Sequence, residues 1–141
     1  MKNILYIPLI LLAACETPVC CDPGPEPFRA IVLTQEGSDY LAQSAKDLIQ
    51  VFFIDSGVKK YLDPQVGLVN DTYRLYEPNI PMRSVQGFKD FYLQIGNEVD
   101  TLFVDVGKNN RYNTVRFNGE TAGTLPTNVP NPAYTYILIK K

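Results

Sequence analysis

Leu12-Ala13-Ala14-Cys15 is the one place in this chain where residue types and spacing specify a reaction. Small residues precede a thiol, and the stretch before them, residues 4–12, is apolar except for Pro8. Met1-Lys2-Asn3 supplies a short, singly charged start. A charged start, a short apolar core and small residues at a cut are the parts of a secretory signal. The cut leaves a nucleophilic thiol just behind it. The apolar run is too short to cross a bilayer as a helix, which takes about 20 residues. An ordinary secretory signal, with Cys15 incidental, is the alternative.

Other chemistry fares worse. The chain has no His, which removes the commonest general base and transition-metal ligand. Ser38, Ser44, Ser56 and Ser84 therefore have no imidazole to activate them, and no Ser-Lys motif replaces it. Asp71, Glu77 and Asp90 offer acids for glycoside hydrolysis. That reaction needs two carboxyls about 5–9.5 Å apart in a cleft, which sequence does not reveal. Glu98, Asp100 and Asp105, with Asn97, Asn109 and Asn110, fall on two turns and the strand between them. The turns follow opposite ends of that strand, so these groups are expected to stay apart as solvated turn residues rather than gather around calcium. Gly37, Gly57 and Gly67 are isolated turn glycines, not a phosphate cradle. No catalytic residue, metal site or cofactor is expected.

Cys15, Cys20 and Cys21 are the three cysteines, so no disulfide can staple the body of the chain. With 13 basic against 15 acidic residues, nothing suggests a nucleic-acid partner. The absence of Trp weakens a carbohydrate platform, while nine Tyr and seven Phe still supply aromatic surface. Tyr73, Arg74 and Tyr76, beside a Pro-rich loop, form the candidate ligand-binding group. For these tyrosines, as for Tyr134 and Tyr136, a ring in the core with its hydroxyl at the rim is the commoner arrangement.

The elements behind these residues read as follows. Residues 16–27 carry Pro18, Pro23, Pro25 and Pro27 and form a semi-extended tether. A first strand is expected over 28–34, and one or two helical turns over 40–47. Residues 49–54 and 58–62 make a hairpin around Asp55-Ser56-Gly57. Residues 63–87 read as loops around one or two short strands, with 72–76 the best candidate. Further on, 88–95 places Phe91, Leu93 and Ile95 on one face, and 101–106 does the same with Leu102, Val104 and Val106. A short strand over 113–117 points Val115 and Phe117 inward and runs into Asn118-Gly119, a tight-turn pair. A Pro/Asn-rich loop fills 123–132, and 133–139 is a last strand. The pattern predicts an all-β, antiparallel β-sandwich of Ig-like or transthyretin-like architecture with seven to eight short strands, a small barrel being the alternative. The Ig pattern of paired cysteines around a tryptophan is absent.

Leu12-Ala13-Ala14-Cys15 resembles the lipobox of bacterial lipoproteins. With the Pro-rich tether and β-domain, and with Val99-Asp100-Thr101-Leu102, Val115-Arg116-Phe117-Asn118-Gly119 and Tyr136-Ile137-Leu138-Ile139-Lys140, the chain looks like the small lipoproteins of Bacteroidota. The resemblance implies cleavage before Cys15, a diacylglycerol thioether and an acylated amino group on it, and an envelope location at the outer membrane. One acyl chain binds a bilayer marginally, whereas two or three hold it firmly. The expected division is 1–14 signal peptide, 15–27 tether and 28–141 a single sandwich domain. The expected function is a non-catalytic, lipid-anchored interaction or accessory module for an envelope partner. A glycan or small-ligand binding module using Tyr73, Arg74 and Tyr76 is the alternative.

Overall fold

The computed structural model describes residues 24–44, 48–125 and 134–141. The tether before Gly24 and most of the Pro/Asn-rich loop, like Cys15 itself, lie outside them. Chain order is β1 (Phe28–Leu33), α1 (Tyr40–Gln43), β2 (Ile49–Asp55), β3 (Val58–Leu62), β4 (Gln65–Val69), β5 (Thr72–Glu77) and α2 (Asn79–Val85). Then follow β6 (Asp90–Ile95), β7 (Glu98–Val106), β8 (Tyr112–Phe117), β9 (Glu120–Thr121), β10 (Gly123–Leu125) and β11 (Thr135–Ile139).

Two sheets face each other. One runs β10-β11-β1-β5-β4 and the other β3-β2-β6-β7-β8-β9. They are not closed into a barrel, so the chain is a sandwich. Neighbours pair antiparallel with one exception: β1 and β11 run parallel, with Ala30 opposite Tyr136 and Leu33 opposite Ile139.

Alternation builds the interior. Phe28, Ala30 and Val32 of β1 and Leu75 of β5 meet Val51, Phe53, Phe91, Leu93, Leu102, Val104, Val115 and Phe117 of the second sheet. Leu41 from α1 and Ile80 from α2 join the same cluster. Burying a side chain of this size contributes about 1.5–3 kcal/mol, so one shared core holds both sheets. Tight turns set the registers: Asn118 and Gly119 both have positive φ, 50° and 83°. Glycine reaches that region without a Cβ clash, and Asn tolerates it better than most residues.

Among the described residues eleven strands stand where the sequence pattern predicts seven or eight. The additional ones lie at sheet edges. β4 is mostly exposed, while β9 and β10 span two and three residues. Strands that short or that exposed carry no apolar alternation to detect. The other difference is α2, inside a stretch that reads as loop. Glu77 starts it, its Oε1 accepting from the Asn79 backbone N–H at 2.8 Å and from Asn79 Nδ2 at 2.9 Å. At seven residues the helix is too short to display a 3.6-residue period.

Candidate functional site

The face of the six-stranded sheet that points away from the core carries a row of aromatic rings. Because Val51, Phe53, Phe91, Leu93, Leu102 and Val104 point inward, alternation turns Phe52, Tyr92 and Phe103 outward. Phe52 sits opposite Tyr61 on β3 and opposite Tyr92 on β6. Its ring stacks on Tyr92 with centroids 4.9 Å apart and planes 13° apart, and leans against Tyr61 at 5.6 Å. Each end carries a cation. Lys59 Nζ lies 4.5 Å from the centre of the Phe52 ring, and the Arg116 guanidinium lies 4.3 Å from that of Phe103. Such contacts contribute about 0.5–1 kcal/mol each at exposed positions and hold the rings in place. Phe52 is only 3% exposed although it points outward, because its neighbours cover it.

Between Tyr92 and Phe103 the face is indented. A hollow of about 280 Å³ is lined by Asp90, Tyr92, Thr101, Phe103, Arg116 and Gly119. It combines two rings, a carboxylate, a guanidinium and a hydroxyl. That set can stack on an apolar face and hydrogen-bond to hydroxyl or amide groups beside it. Phe103 turns outward because Leu102 and Val104 on either side of it turn inward, but no local pattern connects it to Phe52 and Tyr92. The outward position of Tyr92 follows from Phe91, Leu93 and Ile95 being inward. Phe52 lies in an unbroken apolar run, Val51-Phe52-Phe53-Ile54, where no alternation marks which ring faces out.

Strand geometry divides the predicted ligand group. Arg74 and Tyr76 project from the outer face of the five-stranded sheet, in a second hollow of about 310 Å³ shared with Arg29, Gln65, Gly67 and Val69. The Arg29 guanidinium lies 5.6 Å from the centre of the Tyr76 ring. Tyr73, one residue from Arg74, faces the other way and packs against the core. Its backbone N–H donates to Asp39 Oδ2 at 2.7 Å. Asp39 also caps α1, its Oδ1 accepting from Ala42 N–H at 3.0 Å. Tyr136 is a core ring stacked on Phe28 at 5.5 Å, and burial pushes its phenol up to about 12. Burial likewise raises the Tyr112 phenol, whose hydroxyl donates to the Glu26 carbonyl at 2.7 Å.

The carboxylates of 97–110 do not all behave as solvated turn residues. Asp100 is 7% exposed and Lys140 is 9% exposed, and they form an ion pair at 2.5 Å. Asn118 Nδ2 donates to the other Asp100 oxygen at 2.8 Å. Lys140 also reaches Glu98 at 2.8 Å, and the Tyr40 hydroxyl donates to the same Glu98 oxygen at 3.3 Å. Glu98 and Asp100 therefore converge, contrary to expectation, because the C-terminal strand delivers an ammonium between them. Burial pulls the Lys140 pKa down, but hydrogen bonds and charge from Asp100 and Glu98 outweigh it, and the net shift is upward. The hydrogen bond from Lys140, then its charge, holds Glu98 below the usual carboxylate range. Asp105 stands apart as expected, lowered by hydrogen bonds from Lys89 and Asn113.

Asp71, Glu77 and Asp90 do not form a catalytic pair. Glu77 is fully buried at the start of α2, Asp71 sits in the exposed β4–β5 turn, and Asp90 lies on the aromatic face. Ser84 is buried too, its hydroxyl donating to the Val104 carbonyl and accepting from the Val106 N–H, both at 2.8 Å. Among the described residues no three His, Cys, Asp or Glu are placed to hold a metal ion, and no helix is long and apolar enough to cross a membrane. Comparison of the chain with protein-family models, curated proteins and solved structures finds no match.

Proposed function

We propose that this chain is a non-catalytic, lipid-anchored module of the bacterial envelope that binds a partner through the outer face of its six-stranded sheet. The observation that carries the binding face is the aromatic row Tyr61-Phe52-Tyr92, continued by Phe103, with Lys59 and Arg116 at its ends. Tyr61 and Tyr92, packed around the covered Phe52 ring, together with Phe103 give a partner aromatic contact area with little side-chain entropy to lose on binding. Non-catalytic is the reading favoured by the lack of His and by the Lys140 ammonium, which sits between the Glu98 and Asp100 carboxylates. Anchoring rests on Leu12-Ala13-Ala14-Cys15 and the proline-rich residues after it. Metabolic labelling with palmitate tests the anchor: Cys15→Ala abolishes incorporation, and persistent labelling refutes it.

The hollow between Tyr92 and Phe103 favours a second reading, a glycan as the ligand. Its two rings suit the apolar face of a sugar, and Asp90, Thr101 and Arg116 suit the hydroxyls. Affinity electrophoresis in gels containing soluble polysaccharide separates the readings. Retardation lost in Tyr92→Ala and Arg116→Ala supports the glycan, and unretarded migration in every polysaccharide leaves the protein partner.

A further inference from the structure

The four sheet edges are not alike. β9 and β10 are too short to template another strand. β3 carries Lys59 on its outer side and Lys60 on the side facing the core, a placement that keeps foreign strands from pairing. β4 has neither defence. Its sequence is Gln65-Val66-Gly67-Leu68-Val69, without charge or proline, and among the described residues nothing pairs with its outer edge.

Its surroundings point to what pairs there. Arg74 lies opposite Gly67. Arg74 Nε and Arg29 Nη1 are buried atoms with no hydrogen-bond partner among the described residues, Arg29 Nη1 having only a 3.8 Å ion-pair contact with Glu26 Oε2, and both side chains line the 310 Å³ hollow over this end of the sheet. A strand added to β4 would lie about 10 Å from β5, two inter-strand spacings away. A carboxylate on that strand, opposite Gly67, can extend across the glycine and meet the Arg74 guanidinium. Nothing stands within 4 Å of where a Gly67 side chain would begin, so the path is open. On the other side of the sheet Leu68 is 58% exposed next to partly buried Val66, so the same strand's alternate residues should be apolar.

We infer that β4 is a strand-capture edge for an extended partner segment in which acidic residues alternate with apolar ones. The acidic residues lie over Gly67 toward Arg74 and Arg29, and the apolar residues extend the core over Leu68. A second copy of this chain fits poorly, since β4 of that copy brings no carboxylate to the two arginines. This surface is separate from the aromatic face, on the opposite sheet.

The test uses the isotope-labelled full chain in detergent, titrated with a blocked peptide of alternating valine and glutamate. A valine–glutamine peptide and free acetate are the controls. The glutamate peptide slows amide exchange at alternate residues of 65–69. The glutamine peptide binds about tenfold more weakly, as expected for loss of one charge-assisted pair. Arg74→Ala brings the two peptides to equal affinity. Gly67→Val keeps a strand-compatible edge but blocks the crossing, and lowers affinity for the glutamate peptide alone. Three results overturn the inference. One is no binding at all. Another is β4 protection by self-association without peptide. The third is an acetate response at Arg29 and Arg74 equal to that of the peptide with no protection of β4, which leaves a simple oxyanion site.

Discussion

Lys140→Met removes the ammonium that joins β11 in one sheet to β7 in the other. Asp100, 7% exposed in the parent, is left with Asn118 as its remaining side-chain donor. Breaking one side of a buried ion pair costs about 3–5 kcal/mol, because the other charge is left without compensation. Asn118 brings the value toward the low end, and the exposed bond to Glu98 adds little, so the expected loss is about 3 kcal/mol. For a chain of this length that lowers the melting temperature by about 10 °C. The assay is equilibrium urea unfolding of the single variants and of Lys140→Met combined with Asp100→Leu. Replacing both charges with apolar groups removes the uncompensated carboxylate, so the double variant should recover to within about 1 kcal/mol of the parent. A single-variant loss below about 1 kcal/mol, or additive losses in the double variant, would refute the claim that this pair bridges the sheets.

The same network sets the pH response. Glu98 is lowered from 4.5, so its contribution is present above that value and lost as pH falls through the folded-state pKa. Lys140 is raised from 10.5, so its contribution is present below that value and lost as pH rises through the folded-state pKa. A pH series of urea midpoints should fall on both sides, and Lys140→Met should flatten part of each fall. The alkaline side keeps the share due to Tyr112 and Tyr136, whose burial opposes ionisation. Ser84→Ala strands the Val104 carbonyl and the Val106 N–H beneath α2, at a cost of about 2 kcal/mol. Hydrogen exchange at Val106 should accelerate, and unchanged protection there counts against the bridging role.

The sandwich was legible where one sheet face meets the core and the other meets water. Phe91, Leu93 and Ile95, then Leu102, Val104 and Val106, show that alternation in bare sequence, and all six are buried. β4 was not legible because an edge strand with little buried surface has no inward face to mark. α2 was hidden by Pro78 and Pro81, which read as loop residues, though proline is compatible with a helix's first turn. Of the candidate ligand group, Arg74 and Tyr76 share a face and Tyr73 does not, which follows from one-residue alternation once Thr72–Glu77 is a strand. The Asp100–Lys140 pair joins residues 40 apart across two sheets, and no local pattern announces a contact made only by tertiary packing.

The parallel pairing of β1 with β11 determines how the molecule bears tension. The chain enters β1 at Phe28 and leaves β11 after Ile139 at the opposite end of the same pair. A pull between the segment before Phe28 and Lys141 therefore drives the two strands past each other lengthwise. The hydrogen bonds from Ala30–Tyr136 to Leu33–Ile139 are loaded together rather than one after another, with the Lys140 N–H bond to the Leu33 carbonyl at 2.7 Å continuing the row. Rupture in that direction requires collective failure of the row, whereas peeling β4 from the sheet edge opens one bond at a time.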